Sequence, residues 1–198
     1  YSPTRSHLLV VADGMGGHHA GATASALAVL ALERFLLDAR AGSDAPARDS
    51  LPHGALEQAL TEADAQLVAE GLRRPERQGM GTTFTAAWFQ DDLLRLAHVG
   101  DSRCYLLRNG RLYQLTQDHT LVGELVRSGA ISPDDASEHA MKHLVTNVLG
   151  GHRPGVTVES RCQRLEPGDV VLLCSDGLSS TLTAEQLRLR LGSGADPR

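Results

Sequence analysis

The stretch from His7 to His18, His-Leu-Leu-Val-Val-Ala-Asp-Gly-Met-Gly-Gly-His, limits what this chain can become more than any other. An apolar run of this length, bounded by turn residues, reads as a buried strand. It ends abruptly at Asp13, and Gly14, Gly16 and Gly17 then let the backbone turn sharply and approach another group closely. Three readings fit the stretch. Asp13 can simply cap a strand before a Gly-rich turn. The glycines can begin a dinucleotide loop, but position 19 is His19, so the G-x-G-x-x-G fingerprint fails, and no Gly-Lys-Ser/Thr phosphate loop occurs in the chain. Or the Asp13 carboxylate and a loop carbonyl can bind a hard cation. The third reading requires further acids at strand ends downstream.

The chain's 198 residues suit one domain. Its 41% hydrophobic and 22% charged residues are ordinary for a soluble globular protein. A net charge of −5 argues against general nucleic-acid binding. Lys142 is the single lysine. The sequence reading finds no membrane segment and no signal peptide, and it expects a cytoplasmic monomer. Cys104, Cys162 and Cys174 are odd in number and widely spaced, so they suggest buried thiols in a reducing compartment and no zinc site. A cysteine-dependent phosphatase would carry Arg six residues after its nucleophile. Gly110, Gly168 and Ser180 stand there instead.

Ala20 to about Leu37 is expected to form a long, largely buried helix, and Ala41 to Ser50 a polar loop. His53 to Leu72 is expected to be an amphipathic helix with Leu56, Ala59, Leu60, Ala63 and Leu67 inward. Arg73 to Gln78 reads as a charged surface loop. Strands are predicted over Thr82–Phe89 and Leu93–Val99, and over Cys104–Arg108 and Leu112–Leu115 around an Asn109-Gly110 hairpin. Together they suggest an antiparallel meander with Asp101 near one end. Leu121–Arg127 reads as a short helix closed by Gly129. Ser132-Pro133 opens a second short helix, expected to carry His139 and His143 as a solvent-facing pair. Val156–Arg161 and Val170–Cys174 read as strands, the latter buried. Thr183-x-x-Gln186 is a capping box opening a last helix to Leu191. Helices and antiparallel strands arrive in separate runs, which points to α+β layers.

Asp13-Gly14, Asp101 and Asp176-Gly177 thus put acids at the ends of three strands. Oxygen donors without thiolates favour Mg²⁺ or Mn²⁺ over zinc. At this point the residues resemble a known family. The run Val11 to His18, with Gly21 and Ala24-Ser25, is similar to the metal-binding motif of the PP2C-type (PPM) serine/threonine phosphatases in their bacterial form. Met80-Gly81-Thr82-Thr83, His98 to Arg103, Leu115 to Thr120, Leu144 to Gly150 and Leu172 to Leu178 resemble further motifs of that family, in the same order.

The resemblance implies a four-layer α-β-β-α sandwich of two antiparallel sheets packed face to face, with helices outside. It implies that Asp13 bridges two Mn²⁺ or Mg²⁺ ions, that the Gly14 carbonyl binds one and Asp176 the other, and that Asp101 helps hold a third. His18, grouped with Asp13 as catalytic, would assist proton transfer. Residues 117–152 would be a flap that helps choose substrates, namely proteins phosphorylated on serine or threonine by a kinase. A metal-activated water would attack phosphorus without a phospho-enzyme. The family's R-x-x-N-E-D before Asp13 and D-N-x-T after Asp176 are not found here, so a single domain trimmed at both ends is expected. A catalytically weak regulatory module of the same fold is the alternative, and a phosphatase dedicated to one regulator is a third reading.

Overall fold

A computed structural model of the chain describes residues 6–41, 52, 54–152 and 155–194. The elements run β1 (Ser6–Val11), β2 (Gly14–Met15), α1 (His18–Ala41), α2 (Ala55–Arg73), β3 (Gly81–Thr82), β4 (Phe84–Gln90), β5 (Leu93–Val99), β6 (Arg103–Arg108) and β7 (Arg111–Gln114). They continue with α3 (Leu121–Arg127), α4 (Pro133–Glu138), β8 (Leu149–Gly150), β9 (Glu159–Arg164), β10 (Val170–Cys174), α5 (Asp176–Ser179) and α6 (Ala184–Gly192).

Two antiparallel sheets form the middle, ordered β1-β4-β5-β9 and β10-β6-β7. Three apolar clusters define the layers around them. Ala24, Leu32, Leu60, Leu67, Phe84 and Val99 belong to the cluster between the first two helices and the four-stranded sheet. Ala87, Leu94, Leu96, Cys104 and Leu106 fill the space between the sheets. Tyr105, Cys174 and Leu187 lie between the three-stranded sheet and α6. Side chains alternate across a strand, so Ala86 faces the helices while Ala87 faces the opposite sheet, and Cys104 and Tyr105 divide in the same way. The order helix, sheet, sheet, helix is the expected four-layer sandwich. Cys104 and Cys174 stand on adjacent strands but in different clusters, and both are free thiols.

Several expected elements are altered. The meander is split: β5 pairs with β4 and β9, whereas β6 pairs with β10 and β7. The chain therefore crosses from one sheet to the other through Gly100–Ser102, and this crossing carries Asp101. The expected first meander strand is broken at Thr83, because Gly81 and Thr82 pair instead with Gly14 and Met15 on one side and with Leu149 and Gly150 on the other. The strand expected over Val156–Arg161 begins at Glu159. Only Cys174 of β10 is buried; Val170 is exposed. The second short helix stops at Glu138, so His139 is its C-cap and shares no helix with His143. The loop expected over Ala41–Ser50 lies outside the described residues beyond Ala41.

Helix α1 is apolar over a longer stretch than the sequence reading allowed. His19–Asp38 is long and apolar enough, by length and composition, to cross a membrane. In this fold one stripe, Ala24, Ala28, Ala31, Leu32 and Leu36, is buried, while Val29, Leu30 and Leu37 are exposed. The spacing of the buried set is the helical period of a single face.

The Gly-rich stretch is a close backbone crossing. A methyl group built on Gly14 would lie 1.9 Å from the Gly21 carbonyl oxygen, and one on Gly21 would lie 2.6 Å from the Gly14 oxygen. Neither obstacle is a flexible side chain, so β2 and the first turn of α1 fit together only without side chains. Gly21→Ala is expected to cost about 1–3 kcal/mol by overpacking, read as a lower urea midpoint. Gly177→Ala, whose nearest neighbour would be Ser175 Oγ at 3.6 Å, is expected to leave that midpoint nearly unchanged.

Candidate metal centre and cleft

Asp13 is held mainly through its backbone. Its N–H donates to Thr83 Oγ1 at 3.0 Å. Its carbonyl accepts from Thr83 N–H at 2.9 Å and from Thr82 Oγ1 at 3.0 Å. With the backbone so anchored, the carboxyl is left to meet the Asp176 side chain. Both threonines are buried, and the Thr83 hydroxyl also meets the buried Ser102 hydroxyl at 2.7 Å. One side chain therefore joins the strand end carrying Asp13 to the crossing carrying Asp101. In the sequence Thr82 and Thr83 show only as members of the Met80–Thr83 motif, with no sign of this role.

Asp101 follows Gly100, whose φ of +107° and whose contact with Thr83 leave no room for a side chain. Asp176 opens α5 two residues after β10, so it stands in the first turn of a short helix and not at the strand end itself. The three carboxylates converge from β1, the sheet crossing and α5. Burial raises the pKa of Asp13, and the Asp176 charge and a hydrogen bond between the two side chains raise it further. Asp101 is pushed up to about 6, first by burial and then by the charges of Asp176, Asp118 and Asp13. Half-buried like charges that oppose one another's ionisation form a site that a divalent cation relieves. Gly14 lies exposed beside Asp13. His18 is the first residue of α1, but its side chain lies outside the described residues.

A cleft of about 1080 Å³ opens at Asp101 and Asp176, its lining including Arg103, Asp118, Arg127 and Lys142. Arg103 Nε donates to Asp118 Oδ1 at 2.9 Å, and its NH1 donates to Tyr105 Oη at 2.9 Å. These partners hold Arg103 firmly protonated against the opposing effect of burial. Neither Arg103 nor Asp118 stood out in the sequence as a candidate site residue.

Beside the cleft, ligand-type atoms of His98, His119 and Glu159 lie within 4.8 Å of one another. Most are already engaged. His98 Nε2 lies 3.1 Å from the Gln117 carbonyl and Nδ1 lies 2.9 Å from Thr85 Oγ1. Since a carbonyl only accepts, Nε2 carries the proton and Nδ1 accepts from the threonine hydroxyl. Burial, assisted by His119, lowers the His98 pKa to about 4 and keeps this ring neutral. The group is a hydrogen-bonded scaffold with few free ligand atoms. His139 Nδ1 accepts from Met141 N–H at 3.1 Å and stands apart from the acids.

The two-sheet sandwich is the fold of solved bacterial serine/threonine phosphatases. The S. agalactiae serine/threonine phosphatase superposes with a TM-score of 0.85 at 32% identity, over 97% of this chain and 76% of that one. The catalytic domain of PstP in complex with two manganese ions superposes with a TM-score of 0.75 at 39% identity, over 94% and 76%. The curated serine/threonine protein phosphatase PstP of *Mycobacterium tuberculosis* is 42% identical over 92% of this chain. This chain spans 34% of that relative's length. Residues 2–193 match the model of the protein phosphatase 2C family, and the chain belongs to that family.

The pKa of Asp101 has a consequence that can be measured. A carboxyl whose folded pKa is raised contributes stability below its unfolded value near 4, and that contribution is lost as pH rises through about 6. In metal-free protein, Asp101→Asn is expected to raise the melting temperature relative to wild type at pH 7. The gain should shrink to nothing by about pH 4. Comparing the two proteins cancels the opposite slope that neutral His98 contributes. Thermal unfolding in EDTA across this range checks it.

Proposed function

We propose that this chain is the catalytic part of a metal-dependent protein phosphatase acting on phosphoserine and phosphothreonine. The observation that carries the reading is the set of carboxylates from Asp13, Asp101 and Asp176, drawn from three elements and mutually repelling, with Asp101 and Asp176 lining an open cleft. The two manganese ions in the PstP catalytic domain support the same occupancy. In this reading Asp13, the Gly14 carbonyl and Asp176 would hold two Mn²⁺ or Mg²⁺ ions, and Asp101 would help hold a third. Bound there, the ions supply positive charge that activates water and offsets the phosphoryl oxygens.

The chain's own residues supply the rest. Thr82 and Thr83 fix Asp13 before any ion arrives, so little reorganisation accompanies binding. Asp118 neutralises Arg103, which leaves Arg127 and Lys142 as further basic groups lining the cleft for a phosphoprotein segment. His18 is proposed to assist proton transfer. Residues 117–152 are proposed as a flap within one domain. The substrates are read as products of a serine/threonine kinase, met in the cytoplasm by a monomer.

Asp13→Asn is expected to abolish Mn²⁺-dependent hydrolysis of p-nitrophenyl phosphate and of a phosphothreonine peptide, with a loss of more than about 100-fold and an unchanged circular dichroism spectrum. Near-normal turnover in this variant would overturn the metal role. No Mn²⁺-dependent turnover by wild type would favour the regulatory module.

The flap assignment is tested separately. Arg127→Ala combined with Lys142→Ala should lower kcat/KM on phosphopeptides about 10-fold while changing the rate on the small aryl phosphate much less. Equal losses on both substrates would mean a structural role for these residues.

A further inference from the structure

The charged run from Arg73 to Gln78 reads in the sequence as a plain surface loop, yet three of its arginines line a groove of about 690 Å³ beside α1 and α2. Arg34 of α1 joins Arg73, Arg74 and Arg77 there, while Leu27 and Ala69 supply apolar lining. None of the groove's lining residues belongs to the cleft that holds Asp101 and Asp176.

Helical period accounts for the grouping. Gln66, Ala69, Glu70 and Arg73 recur at the spacing of one face of α2. It is a different face from Leu56, Leu60, Ala63 and Leu67, which are buried. Leu27 and Arg34 stand seven residues apart on α1, on one side of that helix. Beyond α2 the backbone is closed on itself. Arg74 N–H donates to the Glu70 carbonyl at 3.0 Å, and Arg77 N–H donates to the Arg74 carbonyl at 2.8 Å, within a 3₁₀ turn over Pro75–Arg77. The backbone that carries Arg74 and Arg77 is thereby fixed before anything binds.

Charge in this groove is unbalanced. Glu70 is the single acid among the described residues that line it. Its Oε1 pairs with Arg77 Nη1 and, at 3.1 Å, with Arg74 Nε, and its Oε2 lies 3.9 Å from Arg73 Nη1. Three guanidinium groups share one carboxylate, and Arg34 adds a further positive charge. Four arginines against one glutamate give +3, in a chain whose net charge is −5. Arg77 alone would tie Glu70 to the turn. Arg73 and Arg74, whose side chains are exposed, add donors that a single carboxylate cannot use up.

We propose that this groove is a docking site for a phosphorylated segment of a substrate protein, holding a phosphate that is not the one being removed. Its substrate role rests on the reading of the chain as a protein phosphatase. A phosphate monoester brings about two negative charges and three acceptor oxygens, so it offsets more of the groove's charge than a second carboxylate would. Guanidinium forks meet phosphate oxygens in pairs. A protein phosphorylated at several positions would be held here while another of its phosphates reaches the acids, which raises the effective concentration at the cleft.

Binding is tested in EDTA, where the unscreened acids of the cleft repel phosphate. A labelled peptide with one phosphothreonine is titrated with the protein and followed by fluorescence anisotropy. Arg73→Ala combined with Arg74→Ala should weaken binding about 10-fold, with the circular dichroism spectrum of wild type because Arg77 still ties Glu70 to the turn. The unphosphorylated peptide should bind no more tightly to wild type than the phosphopeptide binds to this variant. With Mn²⁺ present, the same double variant should raise KM for multiply phosphorylated casein several-fold and leave turnover of p-nitrophenyl phosphate unchanged. Equal affinity of wild type and the double variant for the phosphopeptide would overturn the docking site and leave the phosphatase reading standing. Binding through these arginines to phosphatidylserine vesicles but not to the phosphopeptide would overturn it in favour of a membrane surface. Phosphopeptide binding at the groove with no Mn²⁺-dependent turnover by wild type would overturn the substrate role and the phosphatase reading together.

Discussion

The hydroxyl of Thr83 is a small group with a large share of the architecture resting on it. It accepts the Asp13 N–H and meets the Ser102 hydroxyl inside a region closed to water. An unsatisfied polar atom there would cost about 1–3 kcal/mol, so the two partners must stay together. One partner follows β1 of the four-stranded sheet by two residues and the other leads into β6 in the three-stranded sheet. The hydroxyl therefore fixes how the sheets meet at the end where the acids emerge. Gly100 belongs to the same constraint: its backbone packs so closely on Thr83 that a Cβ would lie 2.6 Å from the threonine Cβ.

Carboxylates can be gathered in this way because the burden is carried elsewhere. Three apolar layers hold the sandwich. At one end of it, backbone clamps oppose the repulsion among Asp13, Asp101 and Asp176. The raised pKa values of Asp13 and Asp101 are the visible cost of that arrangement. A chain selected for stability alone would place amides or apolar groups at these positions. The arrangement instead leaves charge to be balanced by something bound.

Local chemistry was the most legible part of the sequence. Asn109 and Gly110 adopt φ of 51° and 72°, as the hairpin signal required. Both halves of the Thr183–Gln186 capping box form, and all five residues expected inward on α2 are buried. Pairing across long separations was not legible. Leu93–Val99 was bounded correctly as a strand, yet nothing in its own residues says that the next strand joins another sheet. That decision lies in the Gly100 turn and in Thr83 and Ser102, which meet only after folding. The end of α4 at Glu138 was missed for a related reason, since Ser132 and Asp135 mark its start plainly and no glycine or proline marks its stop.

The acids themselves were read from the sequence, whereas the groups that hold them were not. Catalytic-type residues carry their chemistry in their identity, but a buried threonine or a neutral histidine acts through position. His98 and His119 illustrate the difference. With rings 4.9 Å apart beside Glu159, they look like metal ligands when only side-chain types are counted. Tracing each nitrogen to its partner changes that view. His98 spends one nitrogen on Thr85 and the other on the Gln117 carbonyl, and His119 Nδ1 is taken by Gly100 and Asn147. Among the described residues, the oxygens of Asp13, Asp101 and Asp176 have no basic partner, and their charges oppose one another. In the proposed function the aspartates would be the donors for hard cations, while the histidines are already engaged in hydrogen bonds.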